Sequence, residues 1–147
     1  MSFWDKKPEH ARIDSDGELK KRWACPTWFI ENGHDRLREE MKKTLKDNPD
    51  AVHYVAENAR PCYCERCIER FRKHLKLPEG VALDSSVLTS KYQKEWFDFN
   101  CRQLGKIASM IKNIITSLEP RTELWVFSYP QGQYGRRMGN DWHYTAE

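Results

Sequence analysis

The sequence predicts an α/β protein with parallel strands joined by crossover helices. Three observations lead there. Helix-like and strand-like segments alternate along the chain, in the order helix, strand, helix, helix, strand, the pattern of right-handed βα crossovers. Ala51–Glu57 is short, β-branched and aromatic after a turn, as a buried strand should be. Glu123–Tyr129 is apolar on both faces, through Leu124 and Val126 on one and Trp125 and Phe127 on the other. A strand covered on both sides belongs to a parallel sheet.

Taken in order, residues Met1–Lys21 are polar, and Asp14-Ser15-Asp16-Gly17 reads as a tight turn, so a loop or short hairpin is expected. Trp23–Ile30 is aromatic and interrupted by Pro26, which predicts a strand end running into a loop. A helix follows, with Asn32 as its N-cap. Leu37, Met41 and Leu45 share one face, and Asn48-Pro49-Asp50 stops the helix. After the strand Ala51–Glu57 come a cysteine-rich loop and a helix of about three turns, with Ile68, Phe71 and Leu75 inward. Pro78-Glu79-Gly80 breaks it.

Ser90–Leu118 predicts the longest helix, opened by a Ser90/Gln93 capping box. Leu104, Ile107, Ala108, Ile111, Ile114, Ile115 and Leu118 form its stripe, extended upstream by Trp96. Pro120 ends it. Pro130–Glu147 lacks periodicity and reads as a loop at a strand's carboxyl end, where such folds keep their sites. One domain over 1–147 is expected, with loop-like ends at 1–22 and 130–147. No internal repeat or low-complexity tract interrupts it.

At 147 residues the chain is long enough for one real core. Its net charge of +3 is small, and acids interleave with its bases, as in Glu65–Lys76. That describes a solvated helix face and not a phosphate-binding stripe. Arg136-Arg137 is too short a run to signal nucleic acid. No apolar run approaches membrane-spanning length, and Met1–His10 lacks the apolar core of an export signal. No nucleic-acid or membrane partner is therefore expected, and the expected location is cytoplasmic.

The most informative stretch is Cys62-Tyr63-Cys64-Glu65-Arg66-Cys67. It holds three thiols in six residues, and Cys25 lies far upstream between Ala24 and Pro26. Three clustered cysteines and a remote fourth suit a thiolate metal site, for which zinc is the commonest tetrahedral ion. Cys64 and Cys67 have the C-x-x-C spacing that presents two sulfurs from one turn. Cys62 reaches the same point only if the backbone bends, and Pro61 helps set that bend. The rivals are buried structural thiols and a redox C-x-x-C, which usually opens a helix directly after a strand. A disulfide framework fits poorly, since the five cysteines are odd in number and nothing suggests secretion.

Arg22-Trp23-Ala24-Cys25-Pro26-Thr27, the amphipathic helix, Asn48-Pro49-Asp50-Ala51-Val52, a strand ending in a glutamate, the C-x-C-x-x-C group and Phe71-Arg72 together resemble the family 42 glycoside hydrolases. These are β-galactosidases and relatives built on a (β/α)8 barrel. The resemblance spans roughly Arg22 to Tyr129, and the cysteine pattern is its specific part. Phe127-Ser128-Tyr129 is also similar to a second group of glycosidase-like barrel proteins that carry C-x-C-x-x-C.

The resemblance implies an incomplete (β/α)8 barrel segment, because a closed barrel takes about 250 residues. The fragment would run from about the third βα unit to the fifth strand, and alone it would be open-edged and inactive. The resemblance further implies a structural zinc on Cys25, Cys62, Cys64 and Cys67, with Cys101 left as a core thiol. It implies a carbohydrate substrate with a β-linked sugar, cleaved with retention by two carboxylates.

Glu57 is the candidate acid/base, although the family's Asn-Glu pair is inverted here as Glu57-Asn58. Asn58, Tyr129 and Gln131 are candidate sugar-binding residues, and no residue matches the nucleophile. Each has a plainer reading: Glu57 as a salt-bridge partner of Arg60, Asn58 as a turn former, Tyr129 as a core cap. His53 reads as a core or helix-facing residue, and His34 and His74 as residues of solvated helix faces. Expected partners are the remainder of the barrel or a second copy. A zinc-stabilised, non-catalytic carbohydrate-binding or scaffold protein of the same fold is the alternative. A small zinc-binding nucleic-acid module is the third reading.

Overall fold

The computed structural model describes residues 7–55 and 60–127. A 3-10 turn, Pro8–His10, leads into strand β1 (Ala11–Ile13), which pairs antiparallel with β2 (Leu19–Ala24). The turn between them is the one the sequence predicts. The Gly17 N–H donates to the Asp14 carbonyl at 3.0 Å, and the Asp16 carboxylate accepts from the Glu18 N–H at 2.9 Å. Gly17 sits at φ +81°, a left-handed conformation that glycine adopts without steric cost.

Helix α1 (Pro26–Asn32) replaces the loop expected after Trp23. Pro26 is the reason. Proline interrupts a strand, but at the first position of a helix its missing N–H and fixed φ are already suited to the fold. Asn32 does not cap the next helix. It ends α1, and its side-chain amide donates to the Trp28 carbonyl at 3.1 Å. Gly33 bridges directly into α2 (His34–Thr44). A Cβ there would lie 2.6 Å from the Phe29 carbonyl oxygen and 2.8 Å from its ring, so two helices meet at a corner only glycine fits. Leu37, Met41 and Leu45 are buried as their spacing predicts.

Strand β3 (Ala51–Val55) follows, then α3 (Glu65–Leu75), α4 (Ser85–Ser90), α5 (Gln93–Leu118) and strand β4 (Glu123–Phe127). The long helix predicted from Ser90 is thus two helices. Asp84 caps α4 by accepting from the Val87 N–H at 2.8 Å. Ser90 closes α4, its hydroxyl donating back to the Ser86 carbonyl, and Gln93 reaches back to the Thr89 carbonyl. Both side chains are committed to the preceding helix, so no capping box forms.

Helix α5 is the spine. Helices α1, α2 and α4 and strand β4 all pack on it, and its stripe from Trp96 through Ile115 is buried as expected. Helix α3 joins through aromatic edges. Fully buried Phe71 meets Trp96 at 5.1 Å and Phe99 at 5.6 Å, both near perpendicular. Such edge contacts each add about 1 kcal/mol beyond burial.

β3 and β4 run parallel, in register from Ala51↔Glu123 to Val55↔Phe127. The intervening helices form the crossover, so the sequence's α/β reading holds for this unit. The β1–β2 pair is the short hairpin expected near the amino end, and among the described residues it does not join the parallel sheet. One expectation changes: among the described residues the parallel pair is covered on one face only. Val52, Tyr54 and Leu124 pack on the core, whereas Val55 is 57% exposed, Trp125 49% and Phe127 47%. His53 lies on this open face and not in the core, stacked on Trp125 with ring centroids 5.2 Å apart. His34 and His74 are on solvent-facing helix surfaces, as predicted.

Candidate metal centre

Four thiols converge where the hairpin, α1 and α3 meet. Cys25 ends the connection from β2 and occupies the N-cap of α1. Cys64 occupies the N-cap of α3, and Cys67 lies in that helix's first turn. Cys62 is in the loop before it. The four Sγ atoms all lie within 4.8 Å of one another. Cys25 Sγ is 3.4 Å from Cys67 Sγ and 3.6 Å from Cys64 Sγ. A tetrahedral ion with metal–sulfur bonds of about 2.3 Å sets its sulfurs about 3.8 Å apart, so the donor set fits such an ion. Cys25, Cys62 and Cys67 are almost fully buried, and Cys64 is partly exposed.

Local backbone order brings the sulfurs together. The Cys25 N–H donates to the His10 carbonyl at 2.8 Å, and the Tyr63 N–H donates to the Ile13 carbonyl at 2.8 Å. The hairpin therefore holds the first cysteine on one side and the C-x-C loop on the other. His10 stacks on Trp28 at 4.1 Å and closes the corner.

The donors around the cluster point at sulfur. The Trp28 N–H reaches Cys25 Sγ at 3.5 Å, and the Ile13 N–H reaches Cys62 Sγ at 3.4 Å. Cys67 Sγ in turn donates to Thr27 Oγ1 at 3.2 Å. Cys64 sits at the amino end of α3, where the helix dipole favours negative charge.

Sharing of protons divides the four thiols. Hydrogen bonding with Cys25 first, and then with Cys62 and Cys67, draws the Cys64 thiol far below its usual range. Cys25 is lowered as well, chiefly by its hydrogen bond with Cys62. Contacts with Cys25 and burial push Cys62 and Cys67 up. A dication bound here would be held by Cys25, Cys62, Cys64 and Cys67 as thiolates and would offset the repulsion between them.

Arg12 of the hairpin is buried and paired with Asp14, Nε to Oδ1 at 3.0 Å. Burial lowers its pKa, opposed by Asp14 and then by Cys62.

No protein-family model, curated protein or solved structure matches this chain.

The four predicted ligands, Cys25, Cys62, Cys64 and Cys67, are thus brought together, and Cys101 is a buried core thiol apart from them. Glu57, Asn58, Tyr129 and Gln131 lie outside the described residues. Sequence reading missed Arg12, Thr27 and Gln103. Gln103 had left a signal: it falls on the buried stripe that runs through Trp96, Asn100 and Ile107, a place where an amide needs a partner.

Proposed function

We propose that this chain is a zinc-stapled segment of a glycosidase-type barrel, in which a tetrathiolate site holds the rim rigid. The observation that carries the zinc reading is the convergence of four sulfurs from two separate stretches, with a backbone N–H directed at Cys25 and at Cys62 and Cys64 at a helix amino end. Four sulfur ligands close a tetrahedral shell and leave no position for water or substrate. The metal's role is structural, and its binding energy is folding energy. Elemental analysis of the purified chain tests this, with one zinc per chain expected and Cys64→Ser reducing it. A metal-free, fully folded chain would contradict it.

The barrel reading draws on the β3–β4 pair. Its strands are parallel, its crossover helices cover one face, and its other face is apolar and open. Such a pair is suited to a larger parallel sheet closed on itself. In the sequence, Glu57 and Tyr129 each follow the last paired residue, Val55 or Phe127, by two positions. The carboxyl ends of barrel strands carry catalytic groups.

On this reading Glu57 is the general acid/base for a β-linked sugar, Asn58, Tyr129 and Gln131 contact its hydroxyls, and the nucleophile comes from another strand. The test is hydrolysis of an aryl β-galactoside by the protein encoded by the whole reading frame. Activity lowered about 10²–10⁴-fold by Glu57→Gln fits an acid/base. Absence of hydrolysis would favour the non-catalytic carbohydrate-binding or scaffold alternative.

A further inference from the structure

Two buried polar side chains beside the cluster point to a second layer of the site. Thr27 is fully buried and Gln103 is 2% exposed. Gln103 Nε2 donates to Thr27 Oγ1 at 2.7 Å, and that oxygen lies 3.2 Å from Cys67 Sγ. The contact spans 76 positions in sequence and links the long helix to the first turn of α1.

A threonine hydroxyl oxygen has two lone pairs, and that of Thr27 accepts from both the Gln103 amide and the Cys67 thiol. We infer that Gln103 and Thr27 form a hydrogen-bonded relay, linking amide, hydroxyl and sulfur, that fixes the Cys67 side chain in place among the other three sulfurs. Both are positioning residues for the zinc site, and the inference rests on that reading of the cluster. Partners of this kind orient ligands in many metal sites, and their removal typically costs about 10–100-fold in affinity.

The experiment is zinc affinity by chelator competition, together with the sulfur-to-cobalt charge-transfer band of the cobalt-substituted chain. Thr27→Val keeps the shape and removes the hydroxyl. The relay predicts zinc binding about tenfold weaker or more and a shifted band, and Thr27→Ser should restore both. Gln103→Glu replaces the amide that donates to Thr27 with an acceptor and breaks that contact. It should weaken zinc and shift the band in the same way.

Unfolding alone is separated by pairing Thr27→Val with Gln103→Met, which leaves no buried amide facing a methyl. Affinity that stays low while stability recovers supports the relay. Affinity that recovers with stability overturns it, as does a Thr27→Val chain with unchanged affinity and band. Failure of the unaltered chain to bind zinc or cobalt overturns the metal reading itself, a result distinct from equal binding by both chains.

Discussion

Cys25 Sγ lies 3.4 Å from Cys67 Sγ across 42 positions of sequence, one at the start of α1 and the other in the first turn of α3. Nothing in either helix alone requires this meeting. It ties the hairpin and α1 to α3, and on the zinc reading an ion between the sulfurs would staple them.

Chelation should therefore act on the fold. Structural zinc in small thiolate sites contributes on the order of 10 kcal/mol. Even about 4 kcal/mol lost would lower the melting temperature by about 10 °C in a domain of this size. Thermal melts followed by circular dichroism, before and after a strong chelator, should show that fall and its recovery on adding zinc. Equal melting temperatures would count against the staple.

The pH profile should differ between loaded and metal-free chains. In the unfolded chain thiols titrate near 8.5. Cys25 and Cys64 are lowered in the fold, so their contribution is present above that value and lost on acidification. Cys62 and Cys67 are raised, so theirs is present below that value and lost as pH rises. The metal-free chain should thus peak in stability near pH 8.5–9 and fall beyond it. The loaded chain, with four thiolates, should rise to about pH 9 and then level. Urea unfolding at a series of pH values checks both curves.

The Gly33 corner makes a separate prediction. A Cβ at this position meets Phe29 at 2.6 Å, whereas one at Gly80 meets nothing within 4 Å. Gly33→Ala should cost about 1–3 kcal/mol as an overpacked site, and Gly80→Ala should stay within about 0.5 kcal/mol. Urea midpoints of the two variants decide it.

The open sheet face should make the chain self-associate. Val55, Trp125 and Phe127 form an exposed apolar row on a pair of strands, the kind of surface that seeks a cover. Sedimentation velocity should show association growing with concentration, and the double variant Trp125→Thr, Phe127→Thr should remain monomeric. A strictly monomeric unaltered chain would contradict this.

Much of this organisation was legible in sequence, for physical reasons that differ by element. The buried stripes of α2, α3 and α5 follow from spacing alone, because a helix repeats its inner face every three to four residues. The cysteine cluster was legible because sulfur at C-x-C-x-x-C spacing has few uses. Elsewhere a local signal admitted two outcomes. Pro26 stops a strand and also starts a helix; here it starts one, capped by the Trp28 N–H donating to Cys25 Sγ. Ser90 matched a cap, yet its hydroxyl was taken by the preceding turn. The Gln103–Thr27 contact spans 76 positions, and no local pattern encodes a meeting at that separation.

The most direct test of the central claim is zinc-edge X-ray absorption on the purified, zinc-loaded chain. Four sulfur neighbours at about 2.3 Å, with no oxygen or nitrogen in the first shell, is the result expected. A shell containing light atoms, or fewer than four sulfurs, would show that Cys25, Cys62, Cys64 and Cys67 do not close on one ion.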